Sequence, residues 1–352
     1  MSATFQYTAL PSPALTLRLE RLLADLAAEI GALRLPKLAG IVLGGGYGRG
    51  EGGVRHTPAG DRLYNDLDFF VFANGASRSE AARIDRELRE LARRRESESE
   101  AALDFGPVKN LSALRRVAAT LMFQELRRGW RPVWGDADPT RFIPELAPEE
   151  LPFSEAARLL LNRGMGLLLA GECLAAGKDD PDFIVRNMHK AALGAGDALL
   201  LAAGLYRWRG ADRLTAFADY AAAEALPEEY AALYEEAFRY KLEPKPVLPA
   251  DPVARWRQCR AFYLDAVRRA AGTGSGASAE ETAAGLSRRA AGERSFANLL
   301  RWLRRTRKMR FPAGAFDAPV VTVLSKLYGE LSRSEGLPVI PPALRRLWIA
   351  FN

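Results

Sequence analysis

The stretch 41-IVLGGGYGRGE-51, followed after a loop by 65-NDLDFFVF-72, decides how this chain folds. An apolar run feeds straight into glycines at 44, 45, 46, 48, 50, 52 and 53. Glycine at that density lets something approach the backbone closely, because no side chain stands in the way, and phosphate is the usual guest. Asp66 and Asp68 stand two residues apart at the start of the next apolar run, so on a strand their side chains share a face. Like charges held so close repel unless a cation neutralises them, and an all-oxygen set points to magnesium or manganese. The same Asn-Asp-Leu-Asp also reads as a plain turn with solvated acids.

Three phosphate-binding schemes compete for the glycines. A P-loop fails, because no lysine followed by serine or threonine closes the cluster. Gly48, Gly50 and Gly53 match the dinucleotide pattern GxGxxG, which needs a full helix next and an acid at the end of the second strand. Pro58 and Gly60 interrupt that interval, and Asp66 and Asp68 precede the apolar run, so a Rossmann-type dinucleotide-binding protein is the lesser alternative. The paired carboxylates beside a glycine loop remain the leading scheme.

Outward from this stretch, Leu15, Leu19, Leu22, Leu23, Leu26 and Ile30 give residues 14–33 helical periodicity. Strands are predicted at 40–43, 67–72 and 101–105, and helices at 79–95 and 111–128. The proline- and acid-rich run 135-GDADPTRFIPELAPEELP-152 reads as a domain junction. Beyond it the pattern is helical at 151–176, 183–206, 214–225, 228–240, 252–271 and 296–309, with the small polar run 272–285 expected to be a flexible loop. The expected class is α+β: a small mixed-sheet domain over 1–135, then an α-helical bundle over 136–352.

Composition excludes some classes. At 48% apolar residues the chain can bury real cores, and its most apolar runs are broken by Asn162, Arg163, Glu172 and Asp197, which argues against membrane spans. Cys173 and Cys259 are distant from each other and fit neither a disulfide framework nor a zinc site. With no secretory pattern at its start, the protein is expected in the cytoplasm. A net charge of +7 makes nucleotides, phosphorylated substrates or RNA suitable partners.

Leu43-Gly44-Gly45-Gly46 followed by Asp66-Leu67-Asp68 resembles the signature of the DNA polymerase β-like nucleotidyltransferase superfamily. The string GGYGRGE, 45–51, is similar to the motif of the uridylyltransferases that modify the nitrogen-regulatory signalling protein, with 53-GVRHTPAGDRLY-64 inserted as a hairpin or loop. The resemblance covers roughly 40–105, and with His56 and His189 as the only histidines the histidine-rich domain of those enzymes has no counterpart.

The resemblance implies an enzyme that moves a nucleoside monophosphate from a nucleoside triphosphate such as ATP to a hydroxyl of a small molecule, protein or RNA. Asp66 and Asp68 would hold Mg2+ or Mn2+, joined by a third carboxylate, Asp104, with Glu98 and Glu100 as weaker choices. Asp104 reads equally as a cap on the Gly106-Pro107 turn. The backbone amides of Gly45, Gly46 and Tyr47 would cradle phosphates, with Arg49 neutralising charge and Glu51 near the nucleotide or paired with Arg49. From the helical part Lys190 would reach the triphosphate, with Arg186 and Asn187 as neighbours. A nucleotide-binding or regulatory protein that kept the fold and lost the chemistry is the alternative.

The stretch 298-NLLRWLRRTRKMRF-311 interleaves arginines with Trp302 and Phe311, as an RNA-binding surface would. Phe296, Leu299, Leu300 and Leu303 also form an ordinary core stripe that leaves the arginines in water.

Overall fold

The computed structural model describes residues 5–96, 100–115, 120–306, 316–333 and 336–351. The chain divides into two compact units, Met1–Leu146 with Arg239–Lys245, and Ala147–Phe238 with Pro246–Asn352. A single cut at 135/136 does not describe this, because a short helical segment returns to the first unit.

The first unit contains α1 (Pro13–Ala32), β1 (Leu38–Leu43), α2 (Gly45–Gly48), the hairpin β2 (Val54–Thr57) and β3 (Gly60–Leu63), β4 (Leu67–Ala73) and α3 (Arg78–Arg95). After these come β5 (Leu103–Phe105), β6 (Lys109–Asn110), α4 (Leu111–Leu114), α5 (Leu121–Arg128) and β7 (Arg131–Gly135). The sheet runs β5-β4-β1-β7, with β6 also on β4. β1 is antiparallel to β4 and β7, whereas β4 is parallel to β5 and β6. This is the mixed sheet of an α+β fold.

Strand periodicity assigns the two faces of the sheet. Ile41, Leu43, Leu67, Phe69 and Val71 bury against the α1 stripe Leu15, Leu19, Leu23, Leu26 and Ile30 and against Ile84, Leu88 and Leu91 of α3. A capping box at Ser77 and Glu80 starts α3. Val42 and Phe72 face the other way, onto Leu114, Phe123, Leu126 and Ile143. Asp68 therefore belongs to the α4–α5 side of the sheet.

The second unit is helical: α6 (Phe153–Ala175), α7 (Pro181–Ala202), α8 (Gly210–Ala223), α9 (Glu228–Leu242, its last turn in the first unit) and α10 (Pro252–Ala270). α11 (Ala279–Arg289), α12 (Phe296–Thr306), α13 (Pro319–Arg333) and α14 (Pro342–Phe351) complete it. Buried aromatics tie these helices to backbone carbonyls: the Trp256 indole donates to Leu167 O at 2.8 Å and the Tyr263 hydroxyl to Leu160 O at 2.9 Å. Among the described residues no helix is long and apolar enough to cross a membrane.

Several expectations need correction. The run 272–285 is not all loop, since α11 begins at Ala279, capped by Ser278 and Glu281. The helix expected over 111–128 is α4 and α5, with 116–119 outside the described residues. In α12 the buried residues are Asn298, Leu299 and Trp302, whereas Phe296 and Leu300 are exposed. Trp302 stacks on Phe351 with ring centroids 5.0 Å apart, so it belongs to the core. Phe311 lies outside the described residues.

Asp197 is buried in a charged network. It accepts from the Tyr234 hydroxyl at 2.6 Å and lies 3.3 Å from Arg213 Nε. The Arg213 guanidinium also donates to Arg207 O and Trp208 O and lies over the Tyr206 ring. Removing one partner of a buried ion pair strands the other charge. Arg213→Met is therefore expected to lower unfolding free energy by about 3–5 kcal/mol, read as a urea midpoint shift, and a change below about 1 kcal/mol would contradict this role.

His189 on α7 adds a pH dependence. Burial, reinforced by the Arg255 guanidinium, pushes its pKa down to about 4. Glu236, 3.9 Å from its ring, does not hold it charged because that carboxylate already pairs with Arg255 at 3.2 Å. The unfolded chain titrates near the ordinary histidine value of about 6.5. The neutral imidazole thus contributes stability that is complete above about pH 6.5 and is lost as pH falls toward 4, by about 3 kcal/mol at most. His189→Gln should flatten the urea midpoint over that window, and an unchanged pH slope would refute the assignment.

Candidate active site

β1 delivers the chain into the glycine cluster, and β4 receives it. The amide of Gly44 donates to Asp68 O at 2.8 Å, which fixes the loop beside the start of β4. Gly45 follows in the left-handed region with φ +59°, where a Cβ would lie 2.0 Å from Asp68 Oδ2. At Gly44 a Cβ would lie 2.5 Å from the Phe70 ring. Both glycines are required by close approach, and at Gly45 the neighbour is a carboxylate.

The turn α2 is equally constrained. Gly48 N donates to Gly44 O and Glu51 N to Gly46 O, each at 2.8 Å. The amides of Gly45, Gly46 and Tyr47 come before that first bond, so they are the ones a helical turn leaves without an internal acceptor. The Tyr47 side chain is buried; its hydroxyl donates to Gly53 O at 2.9 Å and accepts from Tyr64 N at 3.0 Å. Burial raises the pKa of this phenol, which keeps it protonated as a structural clasp. Farther along, Gly52 N donates to Tyr7 O and Ala9 N to Gly52 O, both at 3.1 Å.

Asp68 and Asp104 are register partners on the parallel strands β4 and β5. Residues opposed in this way project to the same face. Asp68 is half-buried against the loop, and Asp104 is exposed on the sheet's edge strand. Asp66 lies one residue before β4 and is exposed. Among the described residues no three His, Cys, Asp or Glu side chains stand together as a metal-holding group. The structure thus aligns Asp68 with Asp104 and does not draw Asp66 into a closed set of three.

The remaining predicted residues fall in different surroundings. Arg49 is mostly buried and pairs with Glu125 at 3.1 Å and Glu51 at 3.5 Å, so the arginine–Glu51 pairing expected from the motif is present and α5 supplies a second carboxylate. Gly129, just after α5, makes room for this arginine, since a Cβ there would lie 2.7 Å from Arg49 Cγ. Glu100 is engaged by Arg18 at 3.0 Å, and Glu98 lies outside the described residues. Lys190 lies on α7 in the second unit, half-buried, with Arg186 near Asp182 and Asn187 bonded to Phe183 O.

Two contributors go beyond what the motif implies. Nothing in the local helical pattern of α5 marks Glu125 as a partner of the loop. The segment Arg239–Lys245 reads in sequence as part of the bundle, yet Gly53 packs against Lys241 O, where a Cβ would lie 2.5 Å away. Tyr240 and Tyr64 hydroxyls meet at 2.7 Å in the same place.

Compared with protein-family models, with curated proteins and with solved structures, the chain matches none.

Proposed function

We propose that this chain is a nucleotidyltransferase that moves a nucleoside monophosphate from a nucleoside triphosphate to a hydroxyl acceptor, releasing pyrophosphate. The observation that carries the reading is Gly45, whose missing side chain leaves the Asp68 carboxylate in contact with the glycine turn while Asp104 stands in register beside it. A glycine turn, an adjacent acid and a second acid on the next strand suit a triphosphate laid along the loop. The resemblance of the GGG and Asp-x-Asp segments to the polymerase β-like enzymes supports the same reading.

Magnesium fits this donor set in a specific way. It is usually bound by one or two carboxylates, with substrate phosphates and waters completing the octahedron, so an aligned pair is enough and a closed cage is not needed. Asp68 and Asp104 would hold it, with Asp66, exposed one residue before β4, as the third acid of the segment. When bound, such an ion neutralises charge on the phosphoryl group under attack.

The chain's own groups then have defined tasks. Amides of Gly45, Gly46 and Tyr47 donate to the β- and γ-phosphate oxygens. Asp104, open to solvent, accepts the proton of the acceptor hydroxyl as its oxygen bonds to the α-phosphorus. The bond from that phosphorus to the bridging oxygen breaks, and pyrophosphate leaves with the electron pair. Arg49, held by Glu51 and Glu125, stiffens the turn from behind. The free cysteines Cys173 and Cys259 suit a cytoplasmic setting.

A second reading, a nucleotide-binding protein without turnover, is favoured by the position of Asp66, which among the described residues joins no cluster of three potential metal ligands. Thermal unfolding with each nucleoside triphosphate and Mg2+ tests the shared element of both. Stabilisation by at least one triphosphate, lost with chelator, is expected from binding linkage. No shift with any of them would overturn both readings.

A further inference from the structure

The outer surface of α12 has no part in the site above. α12 and α14 contain no aspartate or glutamate. On α12, Arg301, Arg304 and Arg305 are exposed at spacings of three and four residues, where like charges disfavour a helix unless something negative lies against them. Phe296, 64% exposed, and Leu300 share a row with Arg304, since the three positions are four residues apart. The two helices meet through the Trp302–Phe351 stack and through Arg305, which donates to Ala350 O. Ile349, 65% exposed, is next to that carbonyl in sequence.

We propose that this face of α12, with the adjoining end of α14, binds single-stranded nucleic acid. The apolar seam of the helix pair, Leu299, Trp302, Leu344 and Phe351, is already buried, which leaves Phe296, Leu300 and Ile349 as the exposed large apolar side chains of the two helices, fewer than a helix lying in a lipid layer presents. What remains outside is positive charge with no acid on either helix, which complements a phosphate backbone. The exposed Phe296 ring offers a surface for a base to stack on, which an unpaired strand can use and a duplex cannot.

The test is fluorescence anisotropy of a labelled oligouridylate of about 20 nucleotides against the full chain over a series of KCl concentrations. Arg301→Gln with Arg304→Gln should weaken binding about tenfold and reduce the slope of log K against log salt by about 1.4, roughly 0.7 for each phosphate that is no longer neutralised. Phe296→Ala should weaken it about fivefold with the slope unchanged, and Phe296→Tyr should restore it. Arg93→Gln with Arg94→Gln, an equal removal of exposed charge on α3, should leave binding within about twofold. Unaltered thermal midpoints would show that the variants fold. Absence of binding by the parent chain, an equal weakening in the α3 control, or binding to phosphatidylglycerol vesicles in place of the oligonucleotide would overturn the proposal.

Discussion

Asp68→Asn is expected to reduce nucleotidyl transfer about 1,000-fold or more while the chain keeps its fold. The carboxylate lies against the glycine turn, and its neighbour on β5 is Asp104. An amide keeps the shape and removes the charge that a metal-bound triphosphate requires. Asp104→Asn should cost less, about 100-fold, because the proton-accepting role proposed for this exposed acid can be filled in part by water. Rates that survive both substitutions would place the chemistry elsewhere.

Gly45→Ala is the second large effect, and it separates backbone strain from the site. With φ +59°, any L side chain there costs about 1–2 kcal/mol, and this Cβ would also occupy the position of Asp68 Oδ2. The carboxylate must rotate away, so transfer should fall as far as it does in Asp68→Asn. Gly75 supplies the control: its φ is +64°, but a Cβ there meets nothing within 4 Å. Gly75→Ala should therefore lower stability by a similar amount, about 1–2 kcal/mol, and leave transfer unchanged. Equal activity in the two alanine variants would show that Gly45 answers only to the turn.

The parts of this fold legible in the sequence are those fixed by short-range pattern. Alternation along 67–72 separates Leu67, Phe69 and Val71 from Asp68 and Phe70, and the helical stripe of α1 is unbroken. Two of the elements that the pattern does not reveal carry a misleading local signal. β7 contains Pro132, which is tolerated because the strand lies at the sheet's edge. α11 is hidden by the glycines before it, although Ser278-Ala279-Glu280-Glu281 is a readable capping box.

In the site, Gly45 and Asp68 are visible because each is marked by its own residue type. Tyr47 is only half legible. Its position in the turn puts its amide among the proposed phosphate donors, but its side chain clasps Gly53 and Tyr64 inside the core. The partners of Arg49 are not readable in full: Glu51 is local, whereas Glu125 arrives on a helix that only the folded sheet brings near. Trp302 resembles a base-stacking residue because an aromatic among arginines is ambiguous until Phe351 is seen against it.

The most direct test of nucleotidyl transfer is a comparison of α- and γ-labelled nucleoside triphosphates, incubated with the chain, Mg2+ and cell extract. The predicted result is label from the α position on an acceptor, γ label recovered in pyrophosphate, and loss of both in the Asp66→Ala and Asp68→Ala double variant. Transfer of the γ label to an acceptor, or α transfer undiminished in the double variant, would contradict it.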